Sequence, residues 1–132
     1  MAMNEHIVAL FGEAEKGDFR KPHFCRSVPQ LYENLGEPPD DSRGIYLAVQ
    51  CLLHDHDLIY FRVKEEGYSL QDYFEGVWLL EKDGATKKLS AICAPGVGNS
   101  EIIETFTSLL ELSKSILIMS EDDLYDYLTD AS

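Results

Sequence analysis

Two stretches of the chain carry residue types whose spacing could do chemistry. The first is Pro95-Gly96-Val97-Gly98-Asn99-Ser100, which joins an apolar run to an apolar-periodic segment. Gly96 and Gly98 allow close backbone approach to a ligand and positive φ. A helix starting here would offer unpaired N–H groups to an anion, and Asn99 and Ser100 could add side-chain donors. An ordinary N-capped turn contains the same residue types. The second stretch holds Lys16, Arg20, Lys21 and Arg26, with Asp18 its one acid. Arginine meets phosphate or carboxylate through a planar fork and lysine acts as a point charge. A solvated loop paired with nearby acids competes with that reading. Gly12 and Gly17 have the spacing of P-loop glycines, but no Lys-Ser/Thr follows, so no ATPase is expected.

Carboxylates beside these stretches are the candidate catalytic groups. Glu13, Glu101 or Glu104 could activate water or stabilise an oxocarbenium-like ribose. Glu101, in a helix's first turn, would also compete with a phosphate for its positive end. Cys25 has His23 and Arg26 for neighbours, but no general base is evident, so no catalytic thiol is assigned. His54-Asp55-His56-Asp57 reads as a polar turn at a helix end, and no metal or cofactor is assigned to it.

The 132 residues suit one α/β domain spanning the chain, with 45% apolar residues. Cys25, Cys51 and Cys93 are odd in number and widely spaced, against a disulfide framework or structural zinc. No basic leader and no membrane-length apolar run is present, so a soluble cytoplasmic protein is expected. The net charge of −13 opposes nucleic acid as a partner. The expected partner is an anionic small molecule; a homo-oligomer or a basic protein partner is compatible.

Positioning these residues requires strands alternating with helices. Ile7–Phe11, Leu58–Val63, Leu89–Ala94 and Ser115–Met119 are short apolar runs that read as buried parallel strands. Helices are expected over Val28–Leu35 after Ser27, over Ser42–His54, over Leu70–Lys82 with Ser69 as cap and Gly84 as stop, from about Ser100 to Lys114, and after Ser120. A hairpin, Ile45–Leu53 with Leu58–Val63, is the alternative to the second helix. The expected fold is α/β: a small Rossmann-like, three-layer domain with a mostly parallel four-stranded sheet of order 2-1-3-4. The order reverses between the first and third strands, where ligands bind beyond the carboxyl ends. Gly12 with the basic segment and Gly96–Ser100 would then face each other.

The stretch Cys93–Glu101 resembles the Pro-Gly-Gly-x-Gly-Thr-x-x-Glu turn of the lysine-decarboxylase-like, cytokinin phosphoribohydrolase family. It is similar also to the wider group holding nucleoside deoxyribosyltransferases and TIR-like nucleotide sensors. The similarity covers roughly Leu89–Met119 and implies a nucleoside-monophosphate pocket, with hydrolysis of an N-glycosidic bond. Val97 stands for a paired glycine, or one residue is missing; Glu101 or Glu104 matches the family's glutamate; Leu70–Lys82 lacks the expected arginine. Two functions follow. One is binding of a nucleotide-derived or other phosphorylated small molecule at the sheet's C-terminal edge. The other is a non-enzymatic acidic interaction module of immunity or adaptor type, presenting Asp122, Asp123, Asp126 and Asp130.

Overall fold

A computed structural model describes residues 6–82 and 89–130. The elements run β1 (Ile7–Gly12), β2 (Pro22–Cys25), α1 (Val28–Leu35), α2 (Gly44–Leu53), β3 (Asp57–Arg62), α3 (Leu70–Lys82), β4 (Leu89–Cys93), α4 (Ser100–Ser113), β5 (Ile116–Ile118) and α5 (Glu121–Thr129). The sheet order is β2-β3-β1-β4-β5. All pairings are parallel except β2 with β3, which is antiparallel. The four apolar runs thus take the expected order 2-1-3-4. The four-strand count is corrected to five, because β2 adds an edge. Its four residues include a proline and an exposed Phe24, which suit an edge strand and leave no apolar signature.

Segment 44–53 is helix, not the first arm of a hairpin. Its Ile45, Ala48 and Cys51 recur at helical spacing and are all buried. Ser27 caps α1 by accepting the Gln30 N–H, and Ser120 caps α5 by accepting the Asp123 N–H. Ser69 does not cap α3 through its side chain; its hydroxyl bonds Glu65 instead. The expected stop at Gly84 lies outside the described residues.

Strand side chains alternate between two cores. On one face Ala9, Phe11, Ile59 and Phe61 meet α3 and α4. There the Phe11 ring stacks on Phe61 and Tyr73 and meets Phe106 edge-on. On the other face Val8, Leu10, Leu58 and Tyr60 meet α1, α2 and α5. The β1–β4 register shifts after Ile7, so Leu89 and Ile92 share a face. Helices on both faces of a mainly parallel sheet make a Rossmann-like three-layer fold. Among the described residues, no helix is long and apolar enough to cross a membrane.

Candidate functional site

Loops from four elements converge where the order reverses, beyond the carboxyl ends of β1 and β4. The first requirement is a close backbone contact between Gly12, ending β1, and Gly44, opening α2. A Cβ on Gly44 would lie 2.7 Å from the Gly12 Cα and would also collide with the Tyr60 hydroxyl. Only glycine permits that approach. The Tyr60 hydroxyl donates to the Glu13 carbonyl at 2.7 Å. Burial holds this phenol well above its ordinary pKa, and the Glu66 carboxylate raises it further.

The centre of the arrangement is Glu66, in the loop between β3 and α3. Its Oε2 accepts the N–H groups of Glu13 (2.8 Å) and Gly44 (2.9 Å), and its Oε1 accepts that of Arg43 (2.9 Å). The Glu66 N–H in turn donates to Glu13 Oε2 at 3.0 Å. Two carboxylates are thereby held side by side, each on the other's backbone. Ser42, the local candidate to cap α2, instead donates its hydroxyl to Pro39 O at 2.6 Å. The positive end of α2 is therefore met by a carboxylate from a distant loop. The next residue, Gly67, abuts the Gly96 backbone, and its N–H donates to the Tyr73 hydroxyl. That contact ties the loop of Glu66 to the turn of Gly96.

A cleft of about 420 Å³ opens beside this junction. Arg43 and Leu47 form one wall, Pro95 and Gly96 another, and Met119 to Asp122 a third. Its volume falls in the range of small-molecule sites. Arg43 Nη1 lies 3.4 Å from Glu121 Oε2, and both side chains are about two-thirds exposed. Such a pair is worth roughly 0–1 kcal/mol and yields readily to another partner.

The structure brings Gly12 and Gly96 to the junction, but none of the four basic residues expected there lines the cleft. Lys21 and Arg26 flank the two ends of β2, which is separated from β4 by two strands, about 14 Å in sheet spacing. Arg26 pairs with Asp57, at the start of β3, 3.5 Å away and at the opposite edge from the cleft. Arg20 pairs with buried Asp72 at 3.5 Å, and Lys21 with Asp18 at 3.4 Å. Lys16 is exposed, and its backbone N–H donates to Leu35 O. Arg62, outside the basic segment, organises the loop. Its guanidinium donates to the carbonyls of Ala14, Glu15 and Gly17 and stacks on Phe19.

At the β4–α4 turn, Gly96 has φ +80° and lines the cleft. Asn99 Oδ1 accepts the N–H groups of Glu101 and Ile102, so the α4 terminus is capped by its own chain. Gly98 borders open space and Ser100 is exposed. Glu101 and Glu104 are exposed on α4. Glu13, by contrast, sits in the junction itself. Cys25 is buried, and burial raises its thiol pKa. Burial likewise pushes Cys51 up to about 12. The His54–Asp57 turn lies at the other edge, where the His56 ring is tilted against His6 and meets Tyr127 edge-on. No group of three or more ligand-type side chains able to hold a metal occurs among the described residues.

Sequence reasoning passed over Glu66, Arg43, Gly44 and Tyr60. One local signal existed for α2: an apolar helix opened by glycine needs acceptors from elsewhere when its nearby serine is committed to a turn. Fold and junction together define a Rossmann-like α/β protein with a carboxylate-pinned junction at its strand-order reversal and a cleft beside it, beyond β4 and β5. No protein-family model matches the chain, and neither a curated protein nor a solved structure matches it significantly.

Proposed function

We propose that the cleft between α2 and the β4–α4 turn binds a nucleotide-derived or other phosphorylated small molecule. The observation that carries this reading is the placement of Arg43 and the open Gly96 backbone on walls of one cleft, at the edge where such folds bind ligands. Arg43 takes the place of the basic segment as the group that meets the phosphate, leaving its weak pairing with Glu121. Glu121 and Asp122 then accept hydrogen bonds from ligand hydroxyls. The similarity of the Cys93–Glu101 turn to phosphoribohydrolases supports the same ligand class.

In the hydrolytic form of this reading, the working carboxylate is Glu13, which sits in the junction behind the cleft wall: Oε1 is left after Oε2 accepts the Glu66 N–H, whereas Glu66 is committed to three N–H groups. A water oxygen bonds the anomeric carbon as the C–N bond breaks. Glu13 takes a proton from the attacking water, the departing base takes one from solvent water at its nitrogen, and Glu13 then returns its proton to solvent. Thermal shift with AMP, ribose 5-phosphate and adenosine tests the binding. The two phosphorylated compounds are expected to stabilise the protein, and Arg43→Met to remove that effect. No shift with any of them, or a shift untouched by Arg43→Met, would reject the site. Release of free adenine from AMP, lost in Glu13→Gln, tests the reaction.

A second reading, an acidic interaction module of adaptor or immunity type, is favoured by one observation. Helix α5 carries Glu121, Asp122, Asp123 and Asp126, all exposed, and no basic residue.

A further inference from the structure

Helix α2 is built like a buried helix but lies at the surface. Its ten residues include no charged side chain. One side is core, with Ile45, Ala48 and Cys51 fully covered. The other side is Tyr46, Val49, Gln50 and Leu53, whose i, i+3, i+4, i+7 spacing puts them on one stripe. Tyr46 is 60% and Leu53 64% exposed. A helix apolar all round is ordinarily covered on both sides. No element among the described residues covers this second side.

The stripe is bordered by two depressions. One, of about 380 Å³, lies between α1, α2 and the start of α5; Tyr32, Tyr46, Leu47 and Val49 line it, together with Gln50 and the Arg43–Glu121 pair, whose Glu121 a basic partner would take over. The other, of about 70 Å³, lies between α2 and α5 beneath Tyr125, which is 63% exposed, and Leu128. Aromatic anchors around apolar hollows are the usual composition of a binding surface's centre. The surroundings are strongly charged. Residues 28–54 and 121–130 together hold nine acids and one cation, Arg43. An apolar stripe inside an acidic frame calls for a partner that is apolar along one line and basic on both flanks.

We propose that the outer face of α2, with Tyr32 and Tyr125 at its borders, docks a basic amphipathic helix of a partner protein. Its apolar side chains enter the two depressions, and its Lys and Arg residues meet the acids of α5 and of the α1–α2 connection. A helix in a groove buries anchors at the same spacing as the stripe. A second copy of this chain fits poorly, since it would set the same nine acids against nine. This inference rests on the interaction-module reading and gives it a surface and a partner chemistry.

The probe is a labelled synthetic helix of leucine and lysine, with leucines at i, i+3, i+4 and i+7, titrated into the full chain at low and high salt. Tyr46→Glu with Leu53→Glu makes the protein more negative while removing the apolar anchors. Pure charge attraction would then strengthen, whereas docking weakens. The expected result is salt-sensitive binding that falls by about tenfold or more in the double variant. It stays unchanged in Trp78→Glu, an exposed site on α3 across the sheet. Circular dichroism checks that each variant is folded. Equal or tighter binding to the double variant overturns the docking surface but leaves an acidic module standing. No binding to the parent chain overturns both. Sedimentation showing a dimer that the double variant abolishes would assign the face to a second copy and overturn the proposal.

Discussion

Two helix N-termini meet at the same edge of the sheet, and each is neutralised by the chain itself. At α4 the acceptor is Asn99, which reaches N–H groups two and three residues ahead. At α2 it is Glu66, which reaches Arg43 and Gly44 from 23 and 22 residues away and Glu13 from 53. The first is a local cap that stabilises one helix. The second is a tertiary clamp: one carboxylate joins the loop after β1, the start of α2 and the loop after β3. Apparent anion sites at helix ends are therefore different in kind. An end occupied by its own side chain is closed to an anion, while Arg43 lines the neighbouring cleft.

The largest expected effect is at the clamp. Glu66→Ala deprives three N–H groups of their acceptor and should cost about 3 kcal/mol in urea unfolding. Gly44→Ala should cost about 2 kcal/mol, because its Cβ meets the Gly12 backbone and the Tyr60 hydroxyl. Asn99→Ala removes only the local cap, at about 1 kcal/mol. If Asn99→Ala proved as costly as Glu66→Ala, the distinction between cap and clamp would collapse. Gly98→Ala should be neutral or stabilise by about 0.5 kcal/mol, since its Cβ enters open space at an unstrained φ.

A smaller effect contrasts this edge with the opposite one. Burial, aided by His6 and His54, lowers the pKa of His56 from its ordinary 6.5. The unfolded chain then binds more protons in the window below that value. The contribution to stability is full above about pH 6.5 and is lost as pH falls through the depressed pKa. Stability measured from pH 7.5 to 5 should drop less in His56→Gln than in the parent chain. Equal slopes would show that His56 does not govern acid sensitivity.

The apolar strands, the caps at Ser27 and Ser120 and the span of α3 were readable because each depends on neighbours within a few residues; the strand order followed from the crossover rules for alternating strands and helices. The cation-rich segment misled for a specific reason. Density along the chain suggested convergence, but Lys21 and Arg26 flank an extended strand and are carried to its two ends. No local pattern announced that strand, because Pro22, His23 and Phe24 alternate no apolar face. Glu66 was invisible for the converse reason. In Lys64-Glu65-Glu66-Gly67 it looks like any solvated acid, and its three donors come from two other segments.

By itself the sequence determined the alternation of strand and helix, through apolar periodicity and local capping, and with it the edge at which the strand order reverses. Tertiary structure alone decided which charges occupy that edge. Which donor finds a carboxylate depends on loop approach, here on two glycines in backbone contact, and approach between segments tens of residues apart leaves no mark in either segment's composition.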